Sequence, residues 1–489
     1  MKKFKVCYIT AELAPLAKAG GLADVSAALT QLLHRNGHEV RCFLPLYADL
    51  VRDGLAVQPI PGLTDLTLEF GPHRFGYSIR RGDRGSSLPA LWLVESPALF
   101  DRPGLYGPGD DEHLRFLMLS RAALEACVRT GFAPDILHCH DWHTALAPLY
   151  LKTVYRGEPT FERTRSVLTI HNLGYQGVLP AERAPDLGLG DGVGELDAEE
   201  LAAGRINFLR QGLVDADLVS TVSPTYAREI TTPEQGMGLD GVLRARGDEV
   251  VGILNGVDCE AWDPSTDAYL PHRYSRNDLS GKTKMRAALC ARLGLDGSLD
   301  RPLIGMVTRL AWQKGIDLLF DVLPGLLSQD RLALAVLGSG DPAFEEFFSA
   351  LARAHPGRAA FRQTLDEELA HWIEAGSDAF LMPSRYEPCG LNQLYSLRYG
   401  TLPFVRRTGG LADSVTPFDP ASGTGTGIVF NDADSNAVRW ALQRTSELYG
   451  EPASWRQAMI NGMSLDLGWE DRFPRYLELY AAALERPRG

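Results

Sequence analysis

Two cations five residues apart, Arg309 and Lys314, sit in Thr308-Arg309-Leu310-Ala311-Trp312-Gln313-Lys314-Gly315, directly after the apolar run Leu303 to Val307. Such a run reads as a buried strand, and helical spacing resumes at Ile316, so both cations occupy a strand-to-helix loop. A departing diphosphate is balanced either by a divalent metal or by fixed cations and backbone N–H groups, and this pair offers the second solution. Plain solvation of two loop cations is the alternative. Lys18 adds a third cation two residues before Gly20-Gly21, at a turn where backbone can approach a ligand closely. Its ordinary reading is a surface lysine.

The densest polar patch is Pro383-Ser384-Arg385-Tyr386-Glu387-Pro388-Cys389-Gly390-Leu391-Asn392-Gln393. It places Glu387 after a strand ending at Met382 and at the start of the next helix. An acid there stabilises the helix dipole by default. The sharper alternative is a carboxylate that accepts hydrogen bonds from sugar hydroxyls or opposes positive charge at an anomeric carbon. His171-Asn172-Leu173-Gly174-Tyr175-Gln176-Gly177 likewise follows a strand and suits a sugar pocket, although a lone loop histidine also serves structure alone. In His138-Cys139-His140-Asp141-Trp142-His143 three imidazoles, a thiol and a carboxylate suggest zinc. Strand alternation puts His138 and His140 on one face, yet no second ligand group follows at zinc spacing. Asp141 and His143 at a polar strand end, open to sugar hydroxyls, is the better reading, with structural hydrogen bonding as its competitor. Asp215-Ala216-Asp217 imitates a metal-binding D-x-D pair but abuts the strand from Leu218 and reads as the end of a helix. No metal site is expected.

These loops need a frame. Val6 to Ile9 reads as a strand, Leu22 to Leu33 as a helix stopped by Gly37, and Val40 to Leu44 as the next strand. Further short apolar strands fall at 135–139, 166–170 and 218–222. After about residue 245 the pattern restarts, with strands at 303–307, 332–337, 379–382 and 403–405 separated by helix-length segments. The fold class is therefore α/β, with two Rossmann-like, doubly wound domains facing a cleft, expected over residues 1–248 and 249–468. The Gly- and Pro-interrupted stretch from Gly252 to Pro264 is the crossing point. Gly20-Gly21-Leu22-Ala23-Asp24-Val25 is echoed by Gly409-Gly410-Leu411-Ala412-Asp413-Ser414-Val415, again between a strand and a helix. Read as more than coincidence or capping, the echo points one Gly-Gly helix start per domain at the ligand-binding edge of its sheet. Gly338-Ser339-Gly340-Asp341-Pro342-Ala343 matches a dinucleotide pattern, but the acid that would hold a ribose is missing near Phe361-Arg362-Gln363.

Composition narrows the partners. The 489 residues exceed one ordinary core, and 45% apolar content lets each of two domains bury its own. The 62 acidic residues outnumber the 49 basic ones and no dense Lys/Arg block occurs, which argues against nucleic acid. Seven scattered cysteines without a C-x-x-C pair argue against a disulfide framework, so a reducing cytoplasm is expected. The apolar stretch Val6 to Ile9 is broken by Thr10 and Glu12, too short for an export signal or a membrane span.

Lys18-Ala19-Gly20-Gly21-Leu22-Ala23-Asp24, His140-Asp141-Trp142-His143, His171-Asn172-Leu173, Ser223-Pro224-Thr225-Tyr226, Asn255-Gly256-Val257-Asp258, Arg309 with Lys314, Glu387-Pro388-Cys389-Gly390-Leu391 and Thr408-Gly409-Gly410-Leu411-Ala412-Asp413 together resemble the bacterial glycogen synthase and plant starch synthase family. They occur in that family's order and span almost the whole chain. The resemblance implies the two-domain GT-B fold, ADP-glucose as donor, a growing α-1,4-glucan as acceptor and no cofactor. It implies donor binding by Lys18, Gly20 and Gly21 and by Gly409, Gly410 and Leu411, with the N–H groups of Gly409 and Gly410 on the diphosphate. Arg309 and Lys314 would stabilise that diphosphate, His171 would contact the glucose and the reaction centre, Glu387 would lie near the transferring sugar, and Asp141 matches an active-site carboxylate. Retention by same-face attack and a last helix, Trp469 to Leu484, returning to the first domain are also implied.

Three positions depart from that pattern. Ala19 replaces a usual threonine, and Asn392 stands where threonine is common. Leu365, in Gln363-Thr364-Leu365-Asp366, replaces a ring near the adenine and cannot stack as that ring would. UDP-glucose therefore stands as the alternative donor, and a glycan-binding protein without activity as the alternative outside catalysis.

Overall fold

The computed structural model describes every residue except Met1, Arg84, Ser86, Ser87, Ser298, Leu299, Arg488 and Gly489. The chain divides into two compact units. One comprises Met1–Val222, Ala227–Ile253 and Arg472–Gly489, the other Ser223–Tyr226 and Leu254–Asp471.

In the first unit seven parallel strands run in the spatial order Leu91–Glu95, Glu39–Pro45, Lys5–Ile9, Ile136–His140, Arg165–Ile170, Leu218–Thr221, Val250–Gly252. Numbered along the chain this is 3-2-1-4-5-6-7. Beyond Leu91–Glu95 the sheet turns antiparallel through His73–Gly82, which pairs with both Val57–Pro59 and Leu66–Phe70. That antiparallel edge, and the buried helix Glu112–Arg129, carry none of the sequence signals that mark the parallel strands. The helix Gly21–Arg35 follows the first strand and buries Leu22, Val25, Leu29, Leu32 and Leu33, the i, i+3, i+4 stripe that covers a sheet face.

The second unit is a six-stranded parallel sheet in the order Ala359–Arg362, Ala333–Leu337, Leu303–Val307, Ala379–Met382, Leu402–Arg406, Ile428–Phe430. In chain numbering this is 3-2-1-4-5-6, the doubly wound arrangement. Residues of one strand alternate between two cores: Leu334 and Val336 join one apolar cluster, Ala333, Ala335 and Leu337 the other. Burial on both faces explains why these strands read as continuous apolar runs rather than alternating ones. Gly305 faces the second core, where a Cβ would lie 2.4 Å from Ser377 Oγ and 2.8 Å from Ile373 Cγ2.

In both sheets the chain reverses its direction of winding between the first strand and the fourth. Open α/β sheets bind ligands at that point, outside the carboxyl ends of the strands. In the first unit the loops concerned follow Ile9 and His140; in the second they follow Val307 and Met382. Lys18, Asp141, Arg309, Lys314 and Glu387 all lie on these four segments.

Candidate active site

In the first unit the loop after Ile9 is tied back on itself by paired backbone bonds between Leu13 and Ala17, at 2.8 Å each way, and by Ala14 N–H to Ala23 O at 3.0 Å. It delivers Lys18, Ala19, Gly20 and Gly21 exposed at the start of the helix Gly21–Arg35. Lys18 Nζ meets Asp24 Oδ1 at 2.9 Å in a partly exposed pair, the kind that contributes little and exchanges readily. Sequence reasoning missed Glu12, which is 5% exposed. Its Oε2 accepts the N–H groups of Ala19 and Gly20, both at 2.8 Å, and its Oε1 accepts the Tyr106 hydroxyl at 2.6 Å. The available signal was a charged residue interrupting an apolar strand end. Burial, and then the adjoining Glu12 charge, hold the Tyr106 phenol far above its ordinary value.

The fourth strand ends at His140, and Asp141 follows in the left-handed region at φ 51. A non-glycine residue there stores strain that surrounding contacts must sustain. The contacts are present: Asp141 Oδ1 accepts the N–H groups of His171 at 2.6 Å and Asn172 at 3.2 Å, from the loop after the neighbouring strand. Burial pushes the Asp141 carboxyl up to about 7 against the opposing pull of those two N–H groups.

The His171 ring meets His140, Nε2 to Nδ1, at 3.0 Å. Burial holds His171, His138 and His143 down at about 3 and His140 well below its usual value. All four are therefore neutral at physiological pH, and the His140–His171 contact shares a single ring proton.

The other members of the histidine cluster are packed against neighbouring side chains. His138 is fully buried, with Nδ1 on the Tyr480 hydroxyl at 2.8 Å and Nε2 on Thr169 Oγ1 at 2.7 Å. His143, expected to meet sugar hydroxyls, is 9% exposed, as His171 is, and packs against Tyr106, Phe116 and Trp142. Among the described residues no group of three or more His, Cys, Asp or Glu side chains is arranged to hold a metal ion. Asp215 ends the helix Phe208–Asp215 and accepts from Gln211, while Asp217 accepts the Ser166 N–H and hydroxyl.

In the second unit Lys314 Nζ donates to both oxygens of Glu387, at 2.8 and 2.6 Å, and Ser384 Oγ donates to Oε2 at 2.8 Å. Glu387 is 5% exposed. Two loops from adjacent strands thus meet in one charge-assisted pair. Gly315, at φ 67, permits the meeting, since a Cβ there would lie 2.1 Å from Pro383 O. Arg309 lies exposed on the same loop as Lys314. Asn392 Nδ2 donates to Val307 O at 2.7 Å, so the residue that departs from the family's threonine caps the end of the strand that carries Arg309.

The second Gly-Gly turn is packed under Glu387. A Cβ on Gly409, at φ 44, would stand 1.9 Å from Glu387 O, and one on Gly410 2.1 Å from Cys389 O. The resemblance assigns the Gly410 N–H to a diphosphate, but in this structure it is directed at the carbonyls of Glu387 and Pro388, at 3.1 and 3.2 Å, while the Leu411 N–H bonds Thr408 O at 3.1 Å. The physical reason is proximity: the glycines bring this turn so close to the Glu387 backbone that its carbonyls are the nearest acceptors. Gly338 and Gly340, the apparent dinucleotide motif, have a similar structural use. A Cβ on either would strike Thr308 O or Leu310 O at 2.0 and 2.2 Å, and Leu310 N–H bonds Ser339 O at 2.9 Å. They support the Arg309 loop.

Two doubly wound units with cations and a buried carboxylate at their switch points define the class, GT-B glycosyltransferases, and comparison with known proteins agrees. Residues 5–245 match the family model for the starch synthase catalytic domain, and residues 296–461 that for glycosyl transferases group 1. A glycogen synthase of Anaeromyxobacter dehalogenans is 44% identical over 97% of this chain and 99% of its own. One from Paracidovorax citrulli is 45% identical over 99% and 96%. Among solved structures, the catalytic domain of starch synthase IV from Arabidopsis thaliana, bound to ADP and acarbose, superposes with a TM-score of 0.90 at 33% identity, over 99% of this chain and 100% of that one. The chain belongs to the glycogen and starch synthase family and is a hexosyltransferase.

Proposed function

We propose that this enzyme transfers glucose from ADP-glucose to the non-reducing end of an α-1,4-glucan with retention at the anomeric carbon, releasing ADP and requiring no metal. The observation that carries the reading is the Lys314–Glu387 pair at the switch point of the second sheet, with Arg309 on the same loop. Two cations there balance the charge of a leaving diphosphate, and Lys18 is assigned to the same donor. The bond from C1 to the diphosphate oxygen breaks, a bond from C1 to the acceptor O4 forms on the same face, and the acceptor proton passes to the departing phosphate. Glu387 is already occupied by three hydrogen bonds from Lys314 and Ser384, which suits it to opposing positive charge at C1 rather than to forming a covalent bond. Asp141 and His171 supply a polar wall for the sugar: one neutral ring and one carboxyl that titrates near neutrality.

That the Arabidopsis relative is bound to ADP and acarbose supports an adenosine diphosphate donor and a glucan acceptor. Leu365 is 91% exposed and offers no ring to a base, so it does not by itself favour adenine over uracil. A cytoplasmic location fits the reaction, and no helix among the described residues is long and apolar enough to cross a membrane. The test is acceptor-dependent release of ADP from ADP-glucose with glycogen present, alongside UDP-glucose, with and without EDTA. Release from ADP-glucose that survives EDTA is expected. Release from UDP-glucose alone would move the donor assignment, and release from neither would leave a glycan-binding protein.

A further inference from the structure

We infer that Glu12 is a positioning residue for the Lys18 turn, its carboxylate being the fixed anion on which the N–H groups of Ala19 and Gly20 close. The inference rests on the proposal that Lys18 serves the donor diphosphate. Successive backbone N–H groups at a glycine turn make a nest that attracts an anion. Here the nest holds one from the chain itself, Glu12 Oε2, at 2.8 Å from both nitrogens. The turn's contribution to an external phosphate therefore falls to the Lys18 ammonium, and the nest serves to aim it.

The carboxylate can do this because it is itself fixed. The Glu12 N–H donates to Thr10 Oγ1 at 3.2 Å, Thr10 Oγ1 donates to Glu12 O at 2.8 Å, and the same hydroxyl meets Ser26 Oγ of the helix Gly21–Arg35 at 3.0 Å. The Tyr47 hydroxyl holds the preceding carbonyl, Ala11 O, at 2.9 Å. The helix Gly21–Arg35 takes no side-chain hydrogen bond from its N-cap, Gly20. An acid on the N–H of that N-cap and of Ala19 before it supplies the anion that the exposed N-terminal dipole favours.

The other oxygen binds a second loop. Tyr106, whose hydroxyl donates to Glu12 Oε1, sits between Arg102 and Asp111, which close a bidentate pair at 2.9 and 2.6 Å, and the buried Arg115 holds Leu105 O at 3.0 Å. Glu12 thus joins a clamped segment to the turn that carries the lysine. A glutamine keeps one oxygen for the two N–H groups and can donate its amide to the tyrosine oxygen. An alanine leaves three donors without their acceptor.

The test is a double-mutant cycle on the full-length enzyme, with KM for the donor, KM for glycogen and kcat measured at each corner. Glu12→Ala is expected to raise the donor KM about tenfold with the glycogen KM unchanged, and Glu12→Gln to restore most of that loss. On a Lys18→Ala background, Glu12→Ala should change the donor KM by less than about twofold. If the two losses multiply in full, Glu12 does not act through Lys18 and the inference is overturned. If Lys18→Ala leaves the donor KM unchanged while Glu12→Ala raises it, the donor role of Lys18 fails, and the inference fails with it by a different signature. Should Glu12→Ala not fold, Glu12→Asp, whose carboxylate is withdrawn from the turn by one methylene, takes its corner with the same expected pattern.

Discussion

The two Gly-Gly-Leu-Ala-Asp turns share a sequence and differ in almost everything physical. Gly20 is exposed, has an ordinary extended backbone at φ −155, and a Cβ there would meet nothing within 4 Å. Gly409 and Gly410 are buried, one of them left-handed, and each Cβ would be driven into a backbone carbonyl at about 2 Å. Even the acids that complete the repeat differ: Asp24 pairs with Lys18, whereas Asp413 accepts from the backbone N–H and hydroxyl of Thr225. In the first unit the turn presents a side chain; in the second it lets one backbone lie against another. A short repeat reports where two chains bend alike, and what each bend is for depends on the groups that surround it.

The largest expected effect follows from the packed turn. Gly410→Ala must displace Cys389 O or its own helix start, and overpacking of this kind costs about 1–3 kcal/mol. The displaced strand of backbone includes Glu387, whose carbonyl receives the Gly410 N–H. Thermal denaturation should therefore show a lowered midpoint, and turnover should fall by about 100-fold or more, the scale of losing a fixed group that stabilises charge in a transition state. Turnover near that of the unaltered enzyme would mean that the two copies are interchangeable after all.

Next in size are the side chains the packed turn supports. Lys314→Ala removes a cation and leaves Glu387 with Ser384 as its remaining side-chain donor, so turnover is expected to drop about 100-fold with the glycogen KM little changed. Glu387→Gln keeps the shape and loses the charge, and a comparable loss of turnover would mark the charge as the working part. An unchanged kcat in either variant would remove the pair from the reaction.

The half of the site built on strand ends was legible in the sequence because the signals were local. Short apolar runs followed by polar clusters put Asp141, His171, Arg309, Lys314 and Glu387 on the correct loops, and the restart of the pattern after residue 245 marked a second series of strands. What stayed hidden was partnership across the chain. Nothing near Glu12 announces that it meets Ala19, Gly20 and Tyr106, because the last lies 94 residues away. His143 looked polar and is walled by rings that come from two other segments. The antiparallel edge Val57–Gly82 was also missed, since its strands are not continuous apolar runs: Leu66–Phe70 alternates between buried and exposed positions and Val57–Pro59 is largely exposed. Sequence spacing reveals what one loop offers; long-range contacts decide whether it is offered to a ligand or to the protein.

Asp141 gives a comparison within the first unit, between a group that titrates and neighbours that do not. Burial raises its carboxyl from 3.8 to about 7, while the surrounding imidazoles stay neutral down to about pH 3 or below. An activity that needs the carboxylate should therefore rise as pH passes through about 7, and Asp141→Asn should flatten that limb and lower the plateau. The stability effect has the opposite sense. A raised acid binds more protons folded than unfolded between 3.8 and about 7, so its contribution to stability declines as pH rises across that window. The asparagine variant should lose this decline in a series of denaturant melts, and persistence of both limbs would assign them to another group.

The smallest effect is expected at the exposed turn, and it is the one that most directly separates the two copies. Gly20→Ala keeps the N–H that Glu12 accepts, needs no unusual φ and adds a methyl group to open space. Removing a glycine from an ordinary backbone conformation also narrows the unfolded ensemble, which stabilises by roughly 0.4–1 kcal/mol. The variant should melt at or slightly above the temperature of the unaltered enzyme, with kcat within about twofold and any change confined to the donor KM. A loss as large as that of Gly410→Ala would show that the first turn, too, must accept something pressed against its backbone.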